Sequence, residues 1–361
     1  MKGMICVLGA SGAVGKAASL ELIKRGYIVR LLCRKKPEEV MKSYKESGLS
    51  DEDAGRIEIF SGELKKSCDN EAWIDDFFEG ADAVIGGVGP SVYYSHIMLE
   101  MAEKRRIPYL DPGGMHLIRE YEESEPFDSL SVVGAGVFPG LSGWMTLYSR
   151  RLFVNKYGAV TDNGRAETCV GGIYTFSKAA AIDFAEEAKD SKAGIPMACI
   201  RKGEISPIQR ITSEYKPAVL DGFSFIPYLS EEFIYLGKNK EIKNLDSFTV
   251  VDNALRQIML MGQPDSKQLT ELKYSEEKCI ITTAFYDAGK SVELCFEAAD
   301  PGTVTGTVLA LSADVLVKNE DICKERKGIY PLCDVMENRP IIDEIKKTMQ
   351  GYMSFSIKYK D

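Results

Sequence analysis

Hydrophobic residues in the first third of the chain come as short, mainly apolar runs, with helically spaced stretches between them. The runs are Met4–Leu8, Ile28–Cys33, Ile57–Phe60, Ala83–Ile85, Pro108–Leu110 and Ser131–Ala135. Runs of this kind read as strands buried on both faces, which is the texture of a parallel sheet. Between the first two, Val14, Ala17, Ala18 and Leu22 share one helical face, and Gly26 ends the pattern as a C′ residue. Residues 37–55 predict a charged helix and then a loop. Ala72, Trp73, Ile74, Phe77 and Phe78 predict a short helix closed by Gly80. Another opens at Tyr93 and Tyr94 and reaches about Arg106, with His96 on it as a structural residue. Strand and helix alternate throughout, so the expected fold class is α/β, a Rossmann-type doubly wound parallel sheet.

Past residue 160 the texture changes. Ala166–Tyr174 predicts a strand, and Ser177 predicts the N-cap of a helix running to about Lys189. Residues 190–275 mix short strands with turns. Lys278–Tyr286 and Ser291–Glu297 alternate around Asp287-Ala288-Gly289-Lys290, a β-hairpin. A helix follows Pro301-Gly302 through Val304, Val308, Leu309 and Leu311 to Leu316, and the tail from Ile341 predicts a helix and then a strand, Met353–Tyr359. The expected domains are therefore 1–150, dinucleotide-binding; 151–300, an inserted α+β domain for substrate or dimerisation; and 301–361, a C-terminal segment whose helix returns to the first domain.

Bulk properties narrow the partners. A net charge of −9 with no long basic run argues against nucleic acid. No apolar stretch approaches a membrane span, and with a strand from Met4 no signal peptide is expected, so the chain reads as cytoplasmic. Nine scattered cysteines without a C-x-x-C pair read as reduced thiols, and Cys169 and Cys199 have no visible base partner. Two histidines, His96 and His116, are too few for a histidine metal site, and no metal is expected. A hairpin-rich sheet needs cover for its apolar face or its edges, so a homodimer through the inserted domain is expected.

The candidate chemistry starts at Gly9, Gly12 and Gly15, which follow the first strand and open the first helix. In a dinucleotide site Gly9 permits the turn, Gly12 admits the pyrophosphate and Gly15 lets the helix pack closely. The helix start offers N–H groups to phosphate, and Ser11 adds a hydroxyl. The spacing is G-x-x-G-x-x-G, not the commoner G-x-G-x-x-G. Gly9, Ser11, Gly12, Ala13, Val14 and Gly15 are the expected cofactor contacts; the alternative is a turn that binds nothing. Where NAD sites place an acid after the second strand, this chain has Arg34-Lys35-Lys36. A basic triplet suits a 2′-phosphate, so Arg34 and Lys35 point to NADP, unless it is only a solvated turn. Glycine-rich strand ends at Gly86–Pro90, Asp111–Gly114 and Gly136–Ser142 are expected at the same sheet edge. There Val88, Gly89 and Pro90 would line the cofactor, and the last segment would expose helix N–H groups.

These motifs in this order resemble the saccharopine dehydrogenase-like NADP-binding proteins: Gly9-Ala10-Ser11-Gly12 with Gly15, Val88-Gly89-Pro90, Tyr109-Leu110-Asp111 with Gly113-Gly114, and Pro139-Gly140-Leu141-Ser142. The likeness covers residues 1–150 well and the remainder in outline. One departure is Met115, where members of the family often carry an acid. The resemblance implies an NADPH-dependent oxidoreductase that transfers a hydride to or from a C=N or C=O group of an amino-acid-like small molecule.

Hydride transfer also needs a proton donor. Asp111, at a strand end beside glycines, is one candidate and reads equally as a turn cap; Tyr93 and His116 are weaker. Tyr174 and Lys178 form a Tyr-x-x-x-Lys, the spacing short-chain dehydrogenases use on a helix. Here Tyr174 ends a strand, and Lys178 also reads as a solvated residue behind the Ser177 cap. Two further readings stay open: a short-chain-type carbonyl reductase using Tyr174 and Lys178, and a sensor that binds NADP without turnover.

Overall fold

The first strand holds its place because nothing in it is polar enough to leave the interior. Ile5, Cys6, Val7 and Leu8 are fully buried. The computed structural model describes residues 3–64, 73–123, 126–240 and 242–361; Ala72, placed by its sequence in a short helix, lies outside them. Along the chain come β1 (Met4–Leu8), α1 (Ala13–Lys24), β2 (Ile28–Cys33), α2 (Pro37–Glu46) and β3 (Ile57–Ser61). Then follow α3 (Trp73–Phe78), β4 (Ala83–Gly86), α4 (Ser91–Glu103), β5 (Tyr109–Leu110), α5 (His116–Glu120) and β6 (Leu130–Val133). The α1 helix stops where its pattern predicts: Gly26 has φ +89° and donates to Ile23, and Tyr27 donates back to Leu22.

The next stretch holds α6 (Leu141–Tyr157), β7 (Arg165–Ile173), α7 (Lys178–Glu187), β8 (Gly194–Pro196), β9 (Ala198–Arg201), β10 (Glu204–Pro207), β11 (Ser224–Ser230) and α8 (Glu231–Asn239). It continues with β12 (Leu245–Val251), α9 (Asn253–Leu260), α10 (Ser266–Glu271), β13 (Lys278–Asp287) and β14 (Lys290–Ala298). Ser177 caps α7, its hydroxyl accepting from the Ala180 N–H at 3.1 Å. The β13–β14 hairpin turns through Ala288 and Gly289, at φ +49° and +80°, the left-handed pair a two-residue turn requires. The chain closes with α11 (Pro301–Lys318), α12 (Glu320–Glu325), β15 (Gly328–Pro331), α13 (Leu332–Val335), α14 (Ile341–Thr348) and β16 (Met353–Lys360).

Two compact units result. The first joins the chain up to Val137 with Gly302–Val335, and the second joins Phe138–Pro301 with Met336–Asp361. In the first unit seven parallel strands lie in the order β15-β6-β5-β4-β1-β2-β3 with helices around them, a doubly wound Rossmann-type sheet. The α11 helix packs on α1 within this unit. A Cβ at Gly306 would lie 2.6 Å from that of Ala17, and Asp314 accepts from the Tyr27 hydroxyl at 2.8 Å. In the second unit a mixed sheet runs β10-β9-β12-β7-β13-β14-β16, with β11 pairing β12 and β8. Its β7 and β12 run parallel, while β13 and β14 are antiparallel neighbours. Fully buried Asp246 on β12 accepts from Arg165 at 2.8 Å, Arg201 at 2.5 Å and Arg210 at 2.8 Å. Three cations hold its carboxyl below the usual range even though burial pushes the other way.

The expected first boundary, at residue 150, falls inside α6; the chain passes from one unit to the other at Val137, before that helix. β15 is invisible in the sequence because it is four residues long and bounded by Gly328 and Pro331, residue types that ordinarily mark turns; it pairs in parallel with β6.

Candidate functional site

The glycine turn assigns a separate task to each of its glycines. Gly9 has φ +78°, and a Cβ there would come within 2.5 Å of the Gly87 carbonyl. Gly15 lies on α1, where a Cβ would meet the Gly9 carbonyl at 2.6 Å, so the helix rests against the turn. Gly12 differs from both. Its φ is −77° and ψ 162°, which any residue adopts, and a Cβ would meet only the Gly9 carbonyl, at an ordinary 3.4 Å. The protein itself leaves room for a side chain at this position. Ser11, Gly12 and Ala13 are exposed, and Gly12 is the N-cap of α1 with no side chain capping the helix. The helix start therefore presents N–H groups and a partial positive charge to an outside anion. Glycine at position 12, next to such a start, fits a phosphate that comes close to the backbone.

Two other strand ends lie beside this turn. The Gly9 and Ala10 N–H groups both donate to the Leu32 carbonyl at 3.2 Å, tying the turn to the end of β2. Gly87 donates to the Leu8 carbonyl at 2.8 Å, tying it to the end of β4. Val88, Gly89 and Pro90 follow, with Pro90 the N-cap of α4, again without a side-chain cap. The structure thus brings Gly9–Gly15, Val88–Pro90 and the Arg34–Lys35 segment to one edge of the first sheet. Arg34 and Lys35 are exposed, and Lys36 is the N-cap of α2. Arg34 pairs through Nη1 with Glu63 Oε1 at 3.4 Å. Reading along the chain misses Glu63, because it reaches Arg34 from the end of the neighbouring strand.

Asp111 is 1 % exposed, and both its oxygens are engaged. Tyr109 donates its hydroxyl to Oδ2 at 2.5 Å and the Gly113 N–H donates to Oδ1 at 2.8 Å. Burial pushes its carboxyl up, and the donors around it, Tyr109 and Gly113 among them, oppose that. Tyr109 in turn occupies the space a Cβ at Gly86 would need. Asp111 therefore fixes the loop after β5 and the Tyr109 ring that packs on Gly86 at the end of β4.

Tyr174 and Lys178 belong to the second unit. Tyr174 lies in the loop after β7, packed at 5.8 Å from the Phe138 ring and 5.4 Å from that of Phe176. Burial raises its phenol above the ordinary value. Lys178 is the exposed first residue of α7. The two are not one turn apart on a helix, as the short-chain arrangement requires.

One expectation is corrected. The N–H groups after Pro139 are not open: Glu232 Oε1 accepts from Gly140 at 2.7 Å and Gly143 at 3.1 Å, and Ser142 donates to Oε2 at 2.5 Å. A buried carboxylate from α8 caps α6, and burial raises its pKa to about 7. Among the described residues, no cluster of three or more His, Cys, Asp or Glu side chains could hold a metal ion, and no helix is long and apolar enough to cross a membrane.

No family model and no curated protein sequence matches the chain. Solved structures do. Apo saccharopine dehydrogenase (L-Glu forming) from Saccharomyces cerevisiae aligns over 99 % of this chain and 100 % of its own, at 13 % identity and a TM-score of 0.61. The two share a fold. An engineered D-amino acid dehydrogenase bound to NADP+ aligns over 96 % of this chain and 99 % of its own, at 11 % identity and a TM-score of 0.45.

Proposed function

We propose that this protein is an NADPH-dependent oxidoreductase of the saccharopine dehydrogenase-like type. It moves a hydride to or from a C=N or C=O group of an amino-acid-like small molecule. One observation carries the reading: position 12 is glycine where the protein leaves room for a side chain, beside an uncapped helix start. The fold shared with an L-glutamate-forming dehydrogenase supports the same choice.

A nicotinamide dinucleotide supplies the hydride chemistry when bound. This chain's residues do the rest. The N–H groups of Ala13 and Val14 would hold the pyrophosphate, with Ser11 adding a hydroxyl, while the Gly12 N–H donates to the Gly9 carbonyl within the turn. Arg34 and Lys35 would hold a 2′-phosphate by charge-assisted hydrogen bonds. Val88, Gly89 and Pro90 would wall the site, with Tyr109 and Asp111 fixing the end of β4 and the loop after β5 behind them. Asp111 is thus a positioning residue in this reading. Tyr174 is a proton donor only in the short-chain-type alternative, and burial, which raises its phenol, makes it a weaker acid there.

The test follows the loss of reduced nicotinamide absorbance. NADPH is supplied with a panel of 2-oxo acids, each with and without amino acids, and with simple ketones. Consumption that depends on a 2-oxo acid is expected. Binding of NADPH without consumption across the panel would overturn the enzymatic reading and leave a sensor.

A further inference from the structure

The basic triplet after β2 is only half of what lies at that edge. β2 and β3 are parallel neighbours in register to their last residues, with Cys33 opposite Ser61. The Gly62 N–H donates to the Cys33 carbonyl at 3.0 Å. A Cβ at Gly62 would sit 3.0 Å from Leu32 Cδ1, so this backbone lies tightly on β2. Arg34 and Glu63 therefore leave the sheet side by side, 3.4 Å apart, with 79 % and 53 % of their side chains exposed. So exposed a pair adds little to stability.

We propose that Glu63 is a specificity-determining residue of the dinucleotide site. Its carboxylate receives the 2′-hydroxyl of an unphosphorylated adenosine ribose, and it weakens the hold of Arg34 on a 2′-phosphate. This rests on the dinucleotide reading above. In sites for the unphosphorylated cofactor, an acid at the end of the second strand accepts from the ribose. Here that position is basic, and the acid arrives from the adjacent strand end. The two cofactors then feel Glu63 with opposite sign. A hydroxyl donates to the carboxylate. A phosphate is repelled by it and competes with it for the same guanidinium.

Glu63→Gln keeps the size and removes the charge at an exposed position, and thermal denaturation checks that the fold is intact. Wild type, Glu63→Gln and Arg34→Gln are titrated with NADPH and with NADH by fluorescence. In Glu63→Gln, NADPH should bind more tightly and NADH more weakly, raising the preference for NADPH about three- to tenfold, and less at high salt. In Arg34→Gln the preference should fall. A preference in Glu63→Gln within about twofold of wild type overturns the inference alone. Failure of the wild type to bind either dinucleotide overturns it together with the dinucleotide reading.

Discussion

Replacing the three glycines one at a time separates folding from binding. At Gly12 the backbone suits any residue, and an alanine methyl would meet only the Gly9 carbonyl, at 3.4 Å. Alanine is a poorer N-cap than glycine, but it restricts the unfolded chain, so the net change should stay within about 1 kcal/mol. At Gly9 the same methyl faces φ +78° and a backbone oxygen at 2.5 Å, so Gly9→Ala should cost more than about 2 kcal/mol. Gly15→Ala meets backbone at 2.6 Å and belongs with Gly9. A phosphate held by the α1 start packs where the Gly12 methyl would stand. Gly12→Ala should therefore weaken NADPH by about tenfold or more, and Gly12→Val should abolish detectable binding. Denaturation melts and fluorescence titration on the same preparations measure both effects. Wild-type affinity in a well-folded Gly12→Val would refute the reasoning, since the turn would then be structural only.

Three further outcomes follow from particular groups. Glu232 titrates near 7 when folded against 4.5 ordinarily, so the folded state holds the extra proton and wild-type stability falls as pH rises through that window. Glu232→Gln, which can make the same contacts uncharged, should flatten that slope and gain roughly 3 kcal/mol on wild type above pH 7 in denaturant titrations; parallel curves would sink the idea. Asp246→Asn should cost about 3 kcal/mol, the low end for breaking a buried pair, because its arginines keep part of their solvent. Its folded pKa is depressed, so the wild-type advantage should persist above the ordinary carboxylate range and vanish as pH falls through the folded value; an advantage unchanged at acid pH would contradict this. Tyr174→Phe should cut turnover by about 10²–10⁴-fold with NADPH affinity kept if its hydroxyl donates the proton, while near-normal turnover would remove it from the mechanism.

What the sequence made legible was whatever lay within one strand–turn–helix step. β1 and β2 begin and end as their runs predict, because strands buried on both faces are almost wholly apolar; the exception, Arg30 in β2, is paired with Glu58 on β3. Ser177 and the Ala288-Gly289 turn were legible for the same local reason. The helices α8, α9 and α10 are hidden in a stretch that reads as short strands and turns, because at 9, 8 and 6 residues each is too short for helical spacing to stand out. At the site, the turn at Gly9–Gly15 was legible, but Glu63 was not. Its partner is set by which strand lies next to β2, and that is a property of sheet order.

The chain carries two helix starts that look alike in sequence, Gly12-Ala13 and Gly140-Leu141, and they answer the same physical demand differently. Each helix begins with N–H groups that its own backbone cannot satisfy. At α6 the demand is met internally, by a buried carboxylate from the first turn of α8. Nothing near Pro139 announces that partner, and Glu232 in its own setting reads only as a first-turn acid of another helix. At α1 no side chain fills the role, although the position beside it has room for one. Serine, threonine, asparagine or aspartate at Gly12 would cap the helix and stabilise it. Glycine there forgoes that stability and leaves the helix start without a side-chain cap, as an anion site would require. The difference between the two starts, and not the glycines alone, sets them apart: the second is closed by the fold's own carboxylate, and the first has no side-chain cap.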